Sequence, residues 1–133
     1  MGKEILKAAN QDPKLSVVGV VDIDSSLVGT RLRDHDLEPG NIVVSPILET
    51  GDSADVVLHA TGSYLESVAS QIQDALAKGF NVVSTCEELS FPFIRHPSIS
   101  ETLNGLALDR GLTVVGTGVN PGFLMDRLPL AMA

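Results

Sequence analysis

The sequence predicts an α/β fold built on an open parallel sheet. Apolar, β-branched runs such as "LSVVGVVDI", "DVVLHATG", "FNVVST" and "LTVVGTG" alternate with segments whose apolar residues recur at helical spacing. Aromatic residues make up only 4% of the 133, with no Trp, so the core must be aliphatic, as in sheets buried by crossover helices. Alternation of strand and helix calls for right-handed crossovers between parallel neighbours.

Each element has a local reason. Residues 3–10 put Ile5, Leu6 and Ala9 on one helical face, and Pro13 stops that helix. "LSVVGVVDI" (15–23) reads as a strand buried on both faces. "NIVVS" (41–45) is a shorter strand after the turn at Pro39 and Gly40, and "DVVLHATG" (55–62) a third strand ending in small residues. Ser63 and Glu66 form an S-x-x-E capping box ahead of Leu65, Val68, Ala69, Ile72 and Leu76, and Gly79 stands where a helix-ending glycine belongs. "FNVVST" (80–85) is the fourth strand. A second box, Ser98 with Glu101, opens a helix carrying Leu103, Leu106 and Ala107 that Gly111 ends, and "LTVVGTG" (112–118) is the fifth strand. "NPGFLMDRL" then starts a helix with Asn120 as N-cap and Pro121 in the first helical position.

Composition excludes several classes. Seventeen acidic against nine basic residues give a net charge of −8, the wrong sign for neutralising phosphates along a nucleic acid. No apolar run reaches the roughly 18 to 20 residues of a membrane span, and "MGKEIL" is not a secretory signal. The single Cys86 forms no internal disulfide, which fits a reducing, cytoplasmic setting. Three scattered histidines without ligand spacing predict no metal site.

Ligands of open α/β sheets bind at the carboxyl ends of the strands. Four such ends are polar or small here: "DID", "HATGSY", "STCEE" and "GTGVNPG". Asp22 lies 20 residues after Gly2, near the usual separation between a glycine loop and the carboxylate that holds an adenosine ribose; the alternative is a solvated strand end. Asp24 reads as a cap for "SSLVG". His59, inside an apolar strand, reads as a packed, hydrogen-bonded histidine, and Ser63 as a cap rather than a nucleophile. Glu87 and Glu88 would raise the thiol pKa of Cys86 and suppress its thiolate, so Cys86 is not read as a nucleophile. Either glutamate suits contact with a substrate ammonium. "GTGVNPG" contains G-x-G-x-x-x-G, one residue too long for the dinucleotide fingerprint and without a P-loop lysine.

"VVLHATGSYLE", "VVSTCEELSFPFIRHP" and "GTGVNPGFLMDRLPLAMA", in that order along the chain, resemble the dihydrodipicolinate reductase-like group of nicotinamide-dependent enzymes. The resemblance implies a Rossmann-like parallel sheet lacking its first strand, with the start of a following substrate domain. Residues 1–118 would be a truncated dinucleotide-binding domain and residues 119–133 the first helix of a catalytic domain that continues elsewhere. Gly2 matches the last glycine of the family's phosphate loop, and Asp22 the ribose-binding strand end. Ala60, Thr61 and Gly62 match the loop passing the nicotinamide. Thr85, Cys86 and Glu87, with Asn120, Pro121 and Gly122, match segments near nicotinamide and substrate. The first two contribute to cofactor binding, the remaining four to substrate binding, and Glu87 and Asn120 stand as catalytic candidates.

The implied reaction is hydride transfer at the amine or imine carbon of a small amino-acid-like substrate, in a parent that is a homo-oligomer. NAD is preferred to NADP, because no arginine directly follows Asp22, although Arg31 and Arg33 leave NADP open. A missing central strand would leave buried backbone groups unpaired at about 1 to 3 kcal/mol each, unless its two neighbours paired directly or a partner added a strand. Weak cofactor binding by this chain alone is the expectation. The alternative from another class is a non-catalytic α/β module for nucleotide sensing or oligomerisation; its receiver-domain version lacks the required lysine in "GTGVN".

Overall fold

The computed structural model describes residues 1–49 and 54–133. The chain falls into two compact units, Met1–Ala54 and Asp55–Ala133. Every strand pair is parallel, as the alternation requires, but the strands lie in two separate sheets.

In the first unit, helix α1 (Gly2–Gln11) buries Ala9, and Asp12 ends it in an extended conformation ahead of Pro13. Strand β1 is only Val20–Val21 and pairs with β2, Val44–Ser45. The expected strand over 15–23, buried on both faces, is therefore reduced to two ladder residues. Leu15, Val18, Val21 and Ile23 are all exposed, Ile23 at 89%. Among the described residues β1 pairs with β2 alone, and an apolar run becomes an extended ladder only where backbone partners meet it. A small core forms around Leu32, Leu37 and Val44, with Leu6, Val20, Leu27 and Ile42 packed against it. A 3-10 turn over Leu32–His35 supplies its central leucine.

The second unit is larger and more regular. Its sheet runs β3 (Val56–His59), β4 (Asn81–Ser84), β5 (Val114–Gly116), with β4 central. Helix α2 (Leu65–Ala77) follows β3 and packs on β4; helix α3 (Pro97–Arg110) follows β4 and packs on α2 and β5. The face of α2 read from the spacing is the buried one: Leu65, Val68, Ala69, Ile72 and Leu76, joined by Ala75. Leu103 and Ala107 of α3 are buried, with Leu106 half-buried. On the other face of this sheet Leu58, Val83 and Val115 stand in register, with Leu58 and Val115 each 43% exposed.

The helix ends divide into those the sequence specifies locally and those it does not. Gly79 (φ +91°) and Gly111 (φ +65°) both take the left-handed conformation after their helices. The amides that follow, of Phe80 and Leu112, reach back to the carbonyls of Ala75 and Ala107, closing both ends as expected of glycine. The two capping boxes, in contrast, do not form. α2 begins after Tyr64, and its first amide, that of Leu65, donates to the carboxylate of Glu88 at 2.8 Å. α3 begins at Pro97 with His96 at the N-cap, two residues ahead of the expected cap at Ser98. Asn120, Pro121 and Gly122 are non-helical, so Asn120 is not an N-cap and Pro121 is not the first helical residue. Helical winding follows Gly122 and continues into α4 (Leu128–Met132). The carboxylate of Asp126, accepting from the Gly122 amide at 2.7 Å, does the capping instead.

Gly116 marks the tightest approach in the second unit. A Cβ there would lie 2.6 Å from the carbonyl carbon of Leu89 and 2.7 Å from the amide nitrogen of Ser90. Gly116→Ala is therefore expected to lower stability by about 1–3 kcal/mol through overpacking against rigid backbone. Gly105→Ala, where a Cβ meets nothing within 4 Å inside α3, should be neutral or stabilising by up to about 1 kcal/mol. Urea midpoints of the two variants against the wild type check both signs.

Candidate functional site

The carboxyl ends of β3, β4 and β5 carry the chemistry of the second unit. The ladder continues beyond the strands there: the Thr85 amide donates to the His59 carbonyl at 3.0 Å, and the Thr117 amide to the Ser84 carbonyl at 2.8 Å. Residues 60–62, 85–88 and 117–122 therefore leave the sheet from a shared, hydrogen-bonded edge.

Beneath that edge lies a polar network that runs from the buried His59 and Ser84 out to the exposed Thr61 and Gln71. His59, 7% exposed, has Nδ1 2.8 Å from Ser84 Oγ, and Nε2 2.8 Å from Thr61 Oγ1 and 3.1 Å from Gln71 Oε1. Ser84 Oγ accepts the Cys86 amide at 3.1 Å, and the Thr61 hydroxyl donates to Gln71 Oε1 at 2.6 Å. One tautomer satisfies every member. Ser84 donates its proton to a bare Nδ1, and Nε2–H is shared between the Thr61 and Gln71 oxygens. Burial holds His59 below the ordinary imidazole value, partly opposed by the bond to Gln71. The reading of His59 as packed and hydrogen-bonded agrees with this geometry.

Glu88 is the second hub. One carboxylate oxygen accepts from the Leu65 amide and from His96 Nε2 at 3.0 Å; the other accepts from Arg95 at 2.9 Å. The Leu65 amide first, then His96 and Arg95, keep its carboxyl below the ordinary range. With three donors already in place, Glu88 is committed to the fold, and of the two glutamates weighed for a substrate ammonium Glu87 is the one exposed. Cys86 is 1% exposed and its Sγ–H points at the Ser63 carbonyl at 3.2 Å. Burial, reinforced by Glu88 and Glu87, pushes the thiol up, consistent with an inert cysteine. Cys86 thus lies under the edge, while Thr61 is exposed and Ala60, Gly62 and Thr85 are half-buried.

Asn120 is exposed and Pro121 and Gly122 half-buried; the Phe123 amide donates to the Gly118 carbonyl at 3.0 Å. Gly2 and Asp22 belong to the first unit. Gly2 opens α1, where a Cβ would meet nothing within 4 Å. Asp22 is exposed at the carboxyl end of β1, its amide bonded to the Ser45 carbonyl and one carboxylate oxygen taking the Asp24 amide at 2.9 Å. Asp24, whose carboxyl is lowered by the Ser26 hydroxyl and amide, caps a turn whose amides at Leu27 and Val28 bond its carbonyl. His35 is held by Thr30 Oγ1 at 2.8 Å. Among the described residues no cluster suited to a metal ion occurs, and no helix is long and apolar enough to cross a membrane.

Sequence reasoning missed Gln71 and Ser84 as parts of the site's support. Gln71 reads as one more polar residue on an exposed helical face, and nothing in its neighbours marks it.

The second unit is thus a parallel α/β sheet with polar loops at its carboxyl ends. Comparison with known proteins agrees. The structure of an amine dehydrogenase from Mycobacterium smegmatis matches with a TM-score of 0.81 at 27% identity, covering 96% of this chain and 39% of that one. A 2,4-diaminopentanoate dehydrogenase from Acetoanaerobium sticklandii is 33% identical over 124 residues, 89% of this chain and 35% of that protein. The chain thus spans about a third of the length of the curated relative it matches. No family model matches. Both are dehydrogenases, named for amine-bearing substrates.

The neutral, buried His59 makes stability depend on pH with a definite sign. As pH falls below about 6.5 the unfolded chain takes up a proton that the folded chain refuses until lower pH, so stability declines there and is retained above. Urea unfolding at about pH 7.5 and about pH 5.5 should show this loss, and His59→Gln should flatten it while lowering stability at the higher pH.

Proposed function

We propose that the chain supplies the nucleotide-binding surface, and part of the substrate surface, of a nicotinamide-dependent oxidoreductase acting at an amine- or imine-bearing carbon. The observation that carries this reading is the shared carboxyl edge of β3, β4 and β5. It presents residues 60–62, 85–87 and 117–122 together, in a chain similar throughout to amine dehydrogenases. The residues suit such a cofactor. An exposed carboxylate at a strand end accepts hydrogen bonds from vicinal ribose hydroxyls and repels a 2′-phosphate, and Asp22 is of this kind. Small residues at the end of β3 admit a flat ring close to the backbone.

When bound, the nicotinamide supplies or accepts hydride. The chain's own groups bind and orient. Gly2, at the start of α1, offers helix amides to an anionic group. Ala60, Thr61, Gly62 and Thr85 border the ring, with Cys86 supporting them from beneath. The exposed Glu87 carboxylate holds the substrate ammonium and takes up a proton from it, and Asn120, Pro121 and Gly122 bound the substrate on the side of the last segment. NAD is the preferred cofactor, on the strength of Asp22.

Titration of the ¹⁵N-labelled chain with millimolar NADH and NADPH tests this. Amide shifts should concentrate at Gly2, Asp22, residues 60–62 and Thr85, with NADH the tighter ligand. Asp22→Asn, which removes the charge opposing a 2′-phosphate, should raise the NADPH-to-NADH affinity ratio. Shifts scattered over other surfaces, or none, would overturn the reading.

A further inference from the structure

Thr61 stands in the loop assigned above to the nicotinamide, yet its hydroxyl is already used on both sides. It gives its proton to Gln71 Oε1 at 2.6 Å and accepts His59 Nε2–H at 2.8 Å. The same network passes through Ser84 Oγ to the amide of Cys86. One hydrogen-bonded string therefore joins the two segments, 60–62 and 85–86, that leave the carboxyl ends of neighbouring strands. It starts at a backbone amide and ends at one atom: Gln71 Oε1, a pure acceptor, receives both the Thr61 hydroxyl and part of His59 Nε2–H. Without a terminal acceptor the Thr61 proton has no partner in the string, and the hydroxyl is free to turn.

We infer that Gln71, on the exposed face of α2, is a positioning residue for the cofactor edge: it terminates the string through which His59 and Ser84 hold residues 60–62 and 85–86 in one fixed arrangement. This rests on the reading of that edge as a nicotinamide site. It assigns Gln71 no contact with the ligand. What the string presents to a ligand is backbone and small side chains, since the Thr61 hydroxyl and the His59 ring are both spent internally.

The tests separate this inference from the reading beneath it. In the wild-type chain, ¹⁵N spectra of the His59 ring should show the proton on Nε2 and a bare Nδ1; the reverse tautomer overturns the string. Gln71→Met keeps length and removes the acceptor. It should weaken NADH binding about three- to tenfold, the factor one net hydrogen bond carries, with the shift changes centred on residues 60–62 and 85–86. Gln71→Glu, which restores two acceptor oxygens, should recover wild-type affinity. If the wild type binds and Gln71→Met binds equally well, or Gln71→Glu fails to rescue, the positioning role falls while the site stands. If the wild type shows no ligand-dependent shift at residues 60–62, site and positioning role fall together.

Discussion

A single carboxylate fixes how the second unit holds its loops. Glu88 lies in the segment after β4, and its two oxygens bind the first amide of α2, the Arg95 guanidinium and the His96 ring at the N-cap of α3. A helix N-terminus presents unsatisfied amides and positive potential, so an anion is the natural cap. Here the anion comes from another part of the chain, so capping a helix and anchoring a loop become the same act. Because donors stabilise the charged form, Glu88 stays ionised to lower pH than an ordinary carboxyl. Its contribution is present above the ordinary carboxyl value of 4.5 and is lost only as pH falls through the lower folded one. On the far side of the same segment, Gly116 lets the backbone of Leu89 and Ser90 lie directly on β5. Between these two constraints residues 85–90 have little room to move.

Legibility in the sequence follows the range of the interaction. The buried face of α2 and the glycine stops at Gly79 and Gly111 are set within a turn or two of chain, and reading the residues finds them. The N-termini of α2 and α3 are not. Ser63 and Ser98 have the right neighbours for capping boxes, but Glu88 and the His96–Pro97 pair reach these ends first through tertiary contacts. The run 15–23 fails for a related reason: its composition says apolar and extended, but ladder formation depends on which strands arrive beside it. At residues 119–122 the pattern N-P-G reads as a helix start, yet Gly122 at φ +128° turns the chain first. At the candidate site, His59 is legible because a histidine inside an apolar strand has few outcomes, whereas the raised thiol of Cys86 is owed first to burial and only then to the neighbouring glutamates from which the sequence reads it. Gln71 is not legible, since nothing but three-dimensional proximity distinguishes it from its polar neighbours on α2.

The network and the exposed residues divide the work of a binding edge between them. A hydroxyl that has both donated and accepted inside the chain has little left with which to select a ligand, and this is the state of Thr61. Fixed backbone and small side chains serve the part of a ligand that does not vary, a flat ring approached closely. On the proposed reading, selection among substrates falls to exposed side chains outside the network, Glu87 and Asn120 among them. They stand on different segments, one anchored by Glu88 and Gly116, the other by Gly118 and Asp126. Such a partition lets the ends of β3 and β4 stay constant while the residues proposed to meet the substrate change, since substitution at either position breaks no bond of the string. A carboxylate at Glu87 favours a cationic nitrogen, which is what an amine-directed enzyme in the proposed class requires.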